Sequence, residues 1–515
     1  MIGADILARS LHAAGTGILF NLSGNQVMPL YSPLVDAGIR LVHTRTEAAA
    51  VHMADGYARL TERPCPVLVT AGPGHLNALG AIYVAKMAES PVVLLSGHAE
   101  LTNLGRGAFQ EIDQTGLARR VAKAAWVVRE PARLGEELAR AYRLATAGVP
   151  GPVCLGLPAD VLRAVVPGCA PPPARRFARR APAARGPAVD ALLDAFRHAR
   201  RPLLLTGAAS ARGSRWESVR RAAAAIGAPA LPMESSRGAN DPALGAARTI
   251  FARADLVVLV DRPADFALGF GRPPLFARGV RFLPTDVATL AAAGARAPAP
   301  ERRTWCDEVA AAVSAGREDW PTVEASEATP MHPLRLVAAV RALIRPGDVV
   351  VSDGGEFGQW AQAGIARLDP RPELVVNGPS GAIGAALPFA IGAKLARPDA
   401  RVFAFQGDGA CGYHVAELDT AVRHGVELLL VVGDDGRWNA EVQIQKSLGG
   451  PPLDALGIPG VRYDRVAAAF GAHGERVTRP SELDGAFARA LATGRPALVD
   501  AEIEPVPAPA FGAGH

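Results

Sequence analysis

At 515 residues the chain is too long for one hydrophobic core, and with 49% hydrophobic and 20% charged residues it has the composition of a folded globular protein, which excludes disordered and fibrous classes. The net charge of +5 comes from scattered arginines, with no Lys/Arg stripe interleaved with aromatics, so no nucleic-acid partner is expected. The five cysteines, Cys65, Cys154, Cys169, Cys306 and Cys411, are odd in number and share no CxxC spacing, which argues against a disulfide framework or a zinc site and fits a reducing, cytoplasmic setting.

The first stretch, "MIGADILARSLHAAGTGILFNLSG", reads as an amphipathic helix leading into a strand, because Asp5, Arg9 and His12 interrupt its apolar residues; a signal peptide is not expected. No later run reaches about 18 uninterrupted apolar residues, so no membrane partner is expected either. "IRLVHT", "CPVLVT" and "PVVLLSG" read as buried strands, alternating with helical runs such as "EAAAVHMADGYARL". A Pro/Arg/Ala stretch from Val166 to Pro187 has the composition of a linker. The alternation resumes with "PLLLTG", "ADLVVLVD" and "VRFLP", breaks again at "SEATPMHP" (Ser326 to Pro333), and ends with "DVVVSD", "RVFAFQ" and "ELLLVVGD". The expected fold class is therefore α/β, with three domains over residues 1–165, 188–325 and 333–515, each a central parallel sheet flanked by helices.

Residues 65–97 and 401–433 repeat one plan: strand, Gly-x-Gly turn, helix, strand, closing glycine. The first and third domains are thus expected to be related folds, with each glycine turn at the carboxyl edge of its sheet, where open parallel sheets bind ligands. In the third, "GDGACGYHVAELDTAVRHGVELLLVVGDDGRWN" places Asp408 after one strand and Asp434-Asp435 after the next. One right-handed crossover would bring Asp408 and Asp435 to the same edge. Two carboxylates without His or Cys select a hard cation such as Mg2+, and Gly407 and Gly409 would let backbone amides approach an anion at the helix start.

This pattern resembles the metal motif of the thiamine-diphosphate-dependent enzymes. The resemblance implies thiamine diphosphate and Mg2+ as cofactors, with Asp408, Asp435 and the carbonyl of Arg437 as metal ligands and Gly407, Gly409 and Ala410 forming the turn against the diphosphate. That family commonly has an Asn-Asn pair where this chain has Asp434-Asp435, which adds a negative charge. "LVHTRTEAAAVHMADGYAR" is similar to the family's catalytic-glutamate helix and implies that Glu47 hydrogen-bonds the aminopyrimidine ring. "PSGAIGAALPFAIGAKLARP" is similar to the segment that bends the cofactor, implying Ile383 as the apolar wedge and the Gly381 carbonyl as the amine contact. "VVSDGGEFGQW" matches the loop that supplies diphosphate contacts, implying backbone groups of Gly355, Glu356 and Phe357, although Glu356 is an acid beside a diphosphate.

The resemblance covers nearly the whole chain in family order and is nearest the acetolactate-synthase-like branch. "GAFQEIDQ" is similar to the segment in which that branch turns a Phe and a Gln to the substrate, here Phe109 and Gln110, while Asn25 in "SGNQ" and His75 in "GPGHLN" replace small residues and are expected near the reacting carbon. The middle segment, "GANDPALGAARTIFAR", is shorter than the flavin-holding segment of true acetolactate synthases, so no FAD is expected; the tail "EPVPAPAFGAGH" lacks the basic residues expected for a coenzyme A nucleotide. The implied activity is decarboxylation of a 2-oxo acid with ligation of the acyl group to a second carbonyl. The alternatives are a lyase of a 2-hydroxy ketone or 2-hydroxyacyl-CoA, a simple 2-oxo acid decarboxylase, or a catalytically silent thiamine-binding subunit. In this family the domains that clasp one cofactor come from different subunits, so a homodimer or homotetramer is expected.

Overall fold

The structure, a computed structural model, describes residues 1–178, 184, 186–297, 302–316, 319–369 and 372–509. Its strands form three sheets, and every pairing is parallel. The first holds β1 (Ile18–Asn21), β2 (Arg40–His43), β3 (Cys65–Val69), β4 (Val92–His98), β5 (Ala124–Val127) and β6 (Val153–Pro158). The second holds β7 (Pro202–Thr206), β8 (Ala230–Leu231), β9 (Leu256–Val260) and β10 (Arg281–Thr285). The third holds β11 (Val349–Ser352), β12 (Glu373–Val376), β13 (Val402–Gly407), β14 (Leu429–Asp434), β15 (His473–Val477) and β16 (Ala497–Glu502).

The sheet orders explain the internal repeat. The first sheet runs β2-β1-β3-β4-β6-β5 and the third β12-β11-β13-β14-β16-β15, so strands of equal rank occupy equal places. Residues 65–97 and 401–433 are the third and fourth strands of their sheets with the connecting helices. Central strands read as continuous apolar runs because both faces are covered: all residues of β3, β4 and β9 are buried. The core of the third sheet gathers Phe403, Phe405, Leu429, Val431 and Val499 from neighbouring strands with Phe357 and Phe487 from helices.

The chain divides into two compact units, Met1–Pro182 with Ile391–Arg397, and Ala183–Ala390 with Pro398–His515. The second unit therefore carries both the middle and the third sheet. Neither expected break is structureless throughout. In the first, Phe177 is buried in the core of the first sheet, edge-on to Tyr142 at 5.7 Å, so an aromatic anchors an otherwise linker-like composition; residues 179–183 and 185 of that stretch lie outside the described residues. In the second, Met331 is fully buried and bridges Ile503 beside the third sheet. Of the tail, residues 510–515 lie outside the described residues. All five cysteines are free, and among the described residues no helix is long and apolar enough to cross a membrane.

Candidate active site

Within the second unit, β13 and β14 are neighbours in register, Gly407 beside Gly433, so the acidic residues that follow them leave the sheet side by side. Asp408 is the first residue of a short helix, Asp408–His414, with Gly407 as its N-cap. Its side chain is 3% exposed and its Oδ2 is buried without a hydrogen-bond partner, while its backbone carbonyl accepts the Tyr463 hydroxyl at 2.6 Å. Burial, then the charges of Asp435 and Asp434, push the Asp408 carboxyl up to about 8. Burial also pushes Asp435 up to about 7, against the opposing pull of the Arg437 amide and guanidinium. As anions the two disfavour each other, and a hard cation between them would reverse that sign.

A cavity of about 220 Å³ opens on this edge. It is lined by Asp408, Asp435 and Arg437, by Gly407, Gly409 and Ala410 of the turn, by Gly355, Glu356 and Phe357, and by Gly381 and Ile383. Strands β11, β12, β13 and β14 thus deliver to one place every residue that the sequence suggests for metal and cofactor in this unit. Among the described residues no three His, Cys, Asp or Glu side chains are grouped to hold a metal ion. A cation here would rely on two carboxylates, a backbone carbonyl and ligand oxygens, a donor set that suits Mg2+ and a diphosphate.

The individual placements refine the expectations. The Phe357 ring is buried beside Phe405, at 6.2 Å between centroids, so only its backbone is offered to a ligand. Gly407 faces open space, but a Cβ on Gly409 would come within 2.9 Å of the Trp438 ring; glycine at 409 makes room for that indole. Glu356 is turned aside: its Oε2 accepts the Ala508 amide and its Oε1 lies 3.5 Å from Arg237 Nη2.

Several contributors were not apparent from sequence. Ser236 and Arg237, from the loop after β8, line the cavity with Asn377 and Asn439. Asn377 donates to the Ala382 carbonyl at 2.8 Å and so shapes the loop carrying Ile383. Asp353, fully buried after β11, accepts from the amides of Gly354 (2.8 Å), Gly384 (3.0 Å) and Ala386 (3.2 Å) and from Gln406 Nε2 (2.7 Å). It joins the Ile383 loop to the strand end that precedes Asp408. Burial pushes its carboxyl up to about 6 while those four donors pull it down.

In the first unit, Glu47 begins the helix Glu47–Thr61, capped by the Thr46 side chain accepting from the Ala49 amide. Its carboxylate is 9% exposed and accepts from Asn77 Nδ2 at 3.2 Å. Asn25 and Phe109 line a second cavity, of about 310 Å³, with Asn103, Arg106 and Arg163. Gln110 is not among its lining residues; it sits at φ +60°, against Gly72, where a Cβ would come within 2.8 Å of the Gln110 Cβ.

His75 is 2% exposed with both ring nitrogens occupied. Nε2 lies 3.1 Å from the Gln114 carbonyl, which can only accept, so Nε2 carries the proton and Nδ1 accepts from Ser96 Oγ at 2.9 Å. Gln114 completes the network by donating to Ser96 Oγ and accepting from the Gly72 amide. Burial pushes the imidazole down to about 4, so the ring is neutral at physiological pH and ties the glycine turn to β4.

Sequence comparison agrees with this geometry. The profile for the thiamine pyrophosphate enzyme N-terminal TPP binding domain matches residues 1–117, and that for the C-terminal TPP binding domain matches residues 353–501. An acetolactate synthase large subunit of Mycobacterium tuberculosis is 32% identical over 98% of this chain and 96% of its own length. A 2-hydroxyacyl-CoA lyase 2 of Homo sapiens is 30% identical over 93% of this chain and 86% of its own, and an acetolactate synthase large subunit of Parasynechococcus marenigrum is 28% identical over 97% and 87%.

Proposed function

The chain belongs to the thiamine pyrophosphate enzyme family, and we propose that it decarboxylates a 2-oxo acid and ligates the acyl group to a second carbonyl, with Mg2+ joining the diphosphate to Asp408 and Asp435. One observation carries the cofactor assignment: a buried carboxylate with an unpartnered oxygen stands beside a second carboxylate in a cavity at the carboxyl edge of a parallel sheet. When bound, thiamine diphosphate supplies the carbon nucleophile and the electron sink for the bond broken next to the carbonyl.

The protein's own part is to bind, orient and manage protons. Asp408, Asp435 and the Arg437 carbonyl would hold the metal, and the open side of Gly407 would admit the diphosphate. Glu356, already committed to Arg237 and the Ala508 amide, contributes backbone rather than charge. The Gly381 carbonyl would accept from the pyrimidine amine, and Ile383 would supply an apolar contact to the cofactor. Glu47 would hydrogen-bond the pyrimidine nitrogen, with Asn77 orienting its carboxyl group. Asn25 and Phe109, which share a cavity, would face the substrate, while Gln110 packs against the Gly72 turn. His75, with both nitrogens engaged, acts as a positioning residue.

A homodimer is the smallest assembly in this reading. The helix Pro73–Met87 exposes Leu76 (45%) and Tyr83 (44%) on the face that also carries Asn77, an apolar stripe suited to a second copy.

The likeness to a 2-hydroxyacyl-CoA lyase over 93% of this chain favours a second reading, carbon–carbon cleavage of a 2-hydroxyacyl thioester. The deciding experiment incubates the holoenzyme with a panel of 2-oxo acids, with and without acceptor aldehydes, and separately with 2-hydroxyacyl-CoA, and identifies products by mass spectrometry. A ligated hydroxy ketone or hydroxy acid supports the first reading. Carbon dioxide with only a free aldehyde indicates a simple decarboxylase, and acyl-CoA cleavage without decarboxylation a lyase.

A further inference from the structure

We propose that Arg476 is a positioning residue that decides which of the two adjacent aspartates serves the diphosphate cavity, by tying Asp434 to the outer strands and leaving Asp435 to the metal. The proposal rests on the metal reading given above. Asp434 and Glu502 are cross-strand partners on β14 and β16, and Arg476 and Asp500 are partners on β15 and β16, so one guanidinium on β15 can reach carboxylates on two other strands. Arg476 Nη1 donates to Asp434 Oδ2 and to Asp500 Oδ1 (2.8 Å), and Nη2 donates to Glu502 Oε2 (3.3 Å). The other Asp434 oxygen, Oδ1, accepts the Gly436 amide at 3.2 Å. Both Asp434 oxygens are therefore committed, and Asp434 is not among the residues lining the cavity that Asp408 and Asp435 share. Asp435 has one long bond, from the Arg437 amide at 3.3 Å, and keeps its second oxygen for the cavity.

The device answers a charge problem at this edge of the sheet. With Asp rather than a neutral amide at 434, three carboxylates cluster at the ends of β13 and β14, where one dication and an anionic diphosphate must be held. A third carboxylate turned inward would compete for the metal and repel the phosphate oxygens. Arginine is suited to prevent this because its planar fork serves several carboxylates at once, which a lysine ammonium does not do in fixed geometry.

The test is calorimetric titration of the apoprotein with thiamine diphosphate at saturating Mg2+. Asp434→Asn is expected to stay within about threefold of wild-type affinity, and Arg476→Gln to lose about tenfold or more, as expected when one compensating charge near a dianion is removed. Adding Asp434→Asn to Arg476→Gln should return affinity to within about threefold of wild type, because residue 434 then has no charge to turn inward and the other two partners of Arg476, Asp500 and Glu502, do not line the cavity. The proposal is overturned if a folded Arg476→Gln binds as wild type does, or if the double variant stays as weak as Arg476→Gln. It is equally overturned if Asp434→Asn alone loses about tenfold, since Asp434 would then be a ligand itself. That last arm decides the matter should Arg476→Gln fail to fold. Asp435→Ala separates the two levels: unchanged binding in that variant removes the metal reading and this proposal with it, whereas lost binding in Asp435→Ala without rescue in the double variant removes only the role of Arg476.

Discussion

Asp408 and Asp435 stand just beyond the ends of neighbouring parallel strands in register, one nearly fully buried with an oxygen lacking a partner, the other reaching the same cavity. The pair is costly without a cation and favourable with one, and the behaviour of the protein with pH, metal and cofactor follows from that sign.

Metal-free protein should lose stability as pH rises. Asp408 and Asp435 are raised from the ordinary 3.8 to about 8 and about 7, so between these limits the folded state holds protons that the unfolded chain has released. Stability is fully present below the lower limit and declines as pH climbs through the upper ones. Asp353 and Asp500, both pushed up to about 6 with burial as the largest cause, add to the lower part of the window. In EDTA, Asp408→Asn should abolish much of the decline between about pH 7 and 8 and raise the Tm there by a few degrees. Melts at a series of pH values check this; a slope identical to wild type counts against a shared, charge-strained site.

His75→Gln should cost about 1–3 kcal/mol in denaturant unfolding, because two bonds in a buried network are lost, and should leave the pH–rate profile with its wild-type shape. The ring is neutral above about 4 in the fold, and its contribution to stability declines as pH falls from 6.5 toward that value, where only the unfolded ring takes up a proton. Loss of one limb of the profile in His75→Gln would instead make His75 a proton donor or acceptor in the reaction.

The short middle segment before β9 leads us to expect that purified protein has no flavin absorption band and that added FAD neither binds nor raises activity. A stoichiometric yellow cofactor, released on denaturation, contradicts this.

Complementation tests the assembly. Glu47→Gln and Asp408→Ala are each expected to be inactive, and subunits exchanged between them should regain up to about half of wild-type activity per mixed dimer, since one site then carries both defects and its twin neither. Mixed dimers verified by mass and still inactive would mean that each chain builds its own site.

Much of this was legible in the sequence because it is local. Apolar runs flanked by glycine turns mark the buried strands, and Gly-Asp-Gly followed one strand later by Asp434-Asp435 marks the ligand edge. What escaped is long-range. Arg237 reaches Glu356 from the loop after β8, 119 positions away. Asp353 looks like an unremarkable acid after a strand until its four donors, drawn from three separate segments, are seen. The apparent liability of Asp434 is met by Arg476, 42 positions on, through strand neighbours that no short motif encodes. His75 was visible as a departure, but only the fold shows Gln114 and Ser96 closing around it.

The most direct measurement is calorimetric titration of the apoprotein with thiamine diphosphate, with and without Mg2+, in wild type, Asp408→Ala and Asp435→Ala. We expect one cofactor per chain, binding that requires the metal, and a loss of about a hundredfold or more in either variant, the scale expected when one of two carboxylate ligands to a dication is removed. Binding that is indifferent to EDTA, or unchanged in the two variants, would contradict the account.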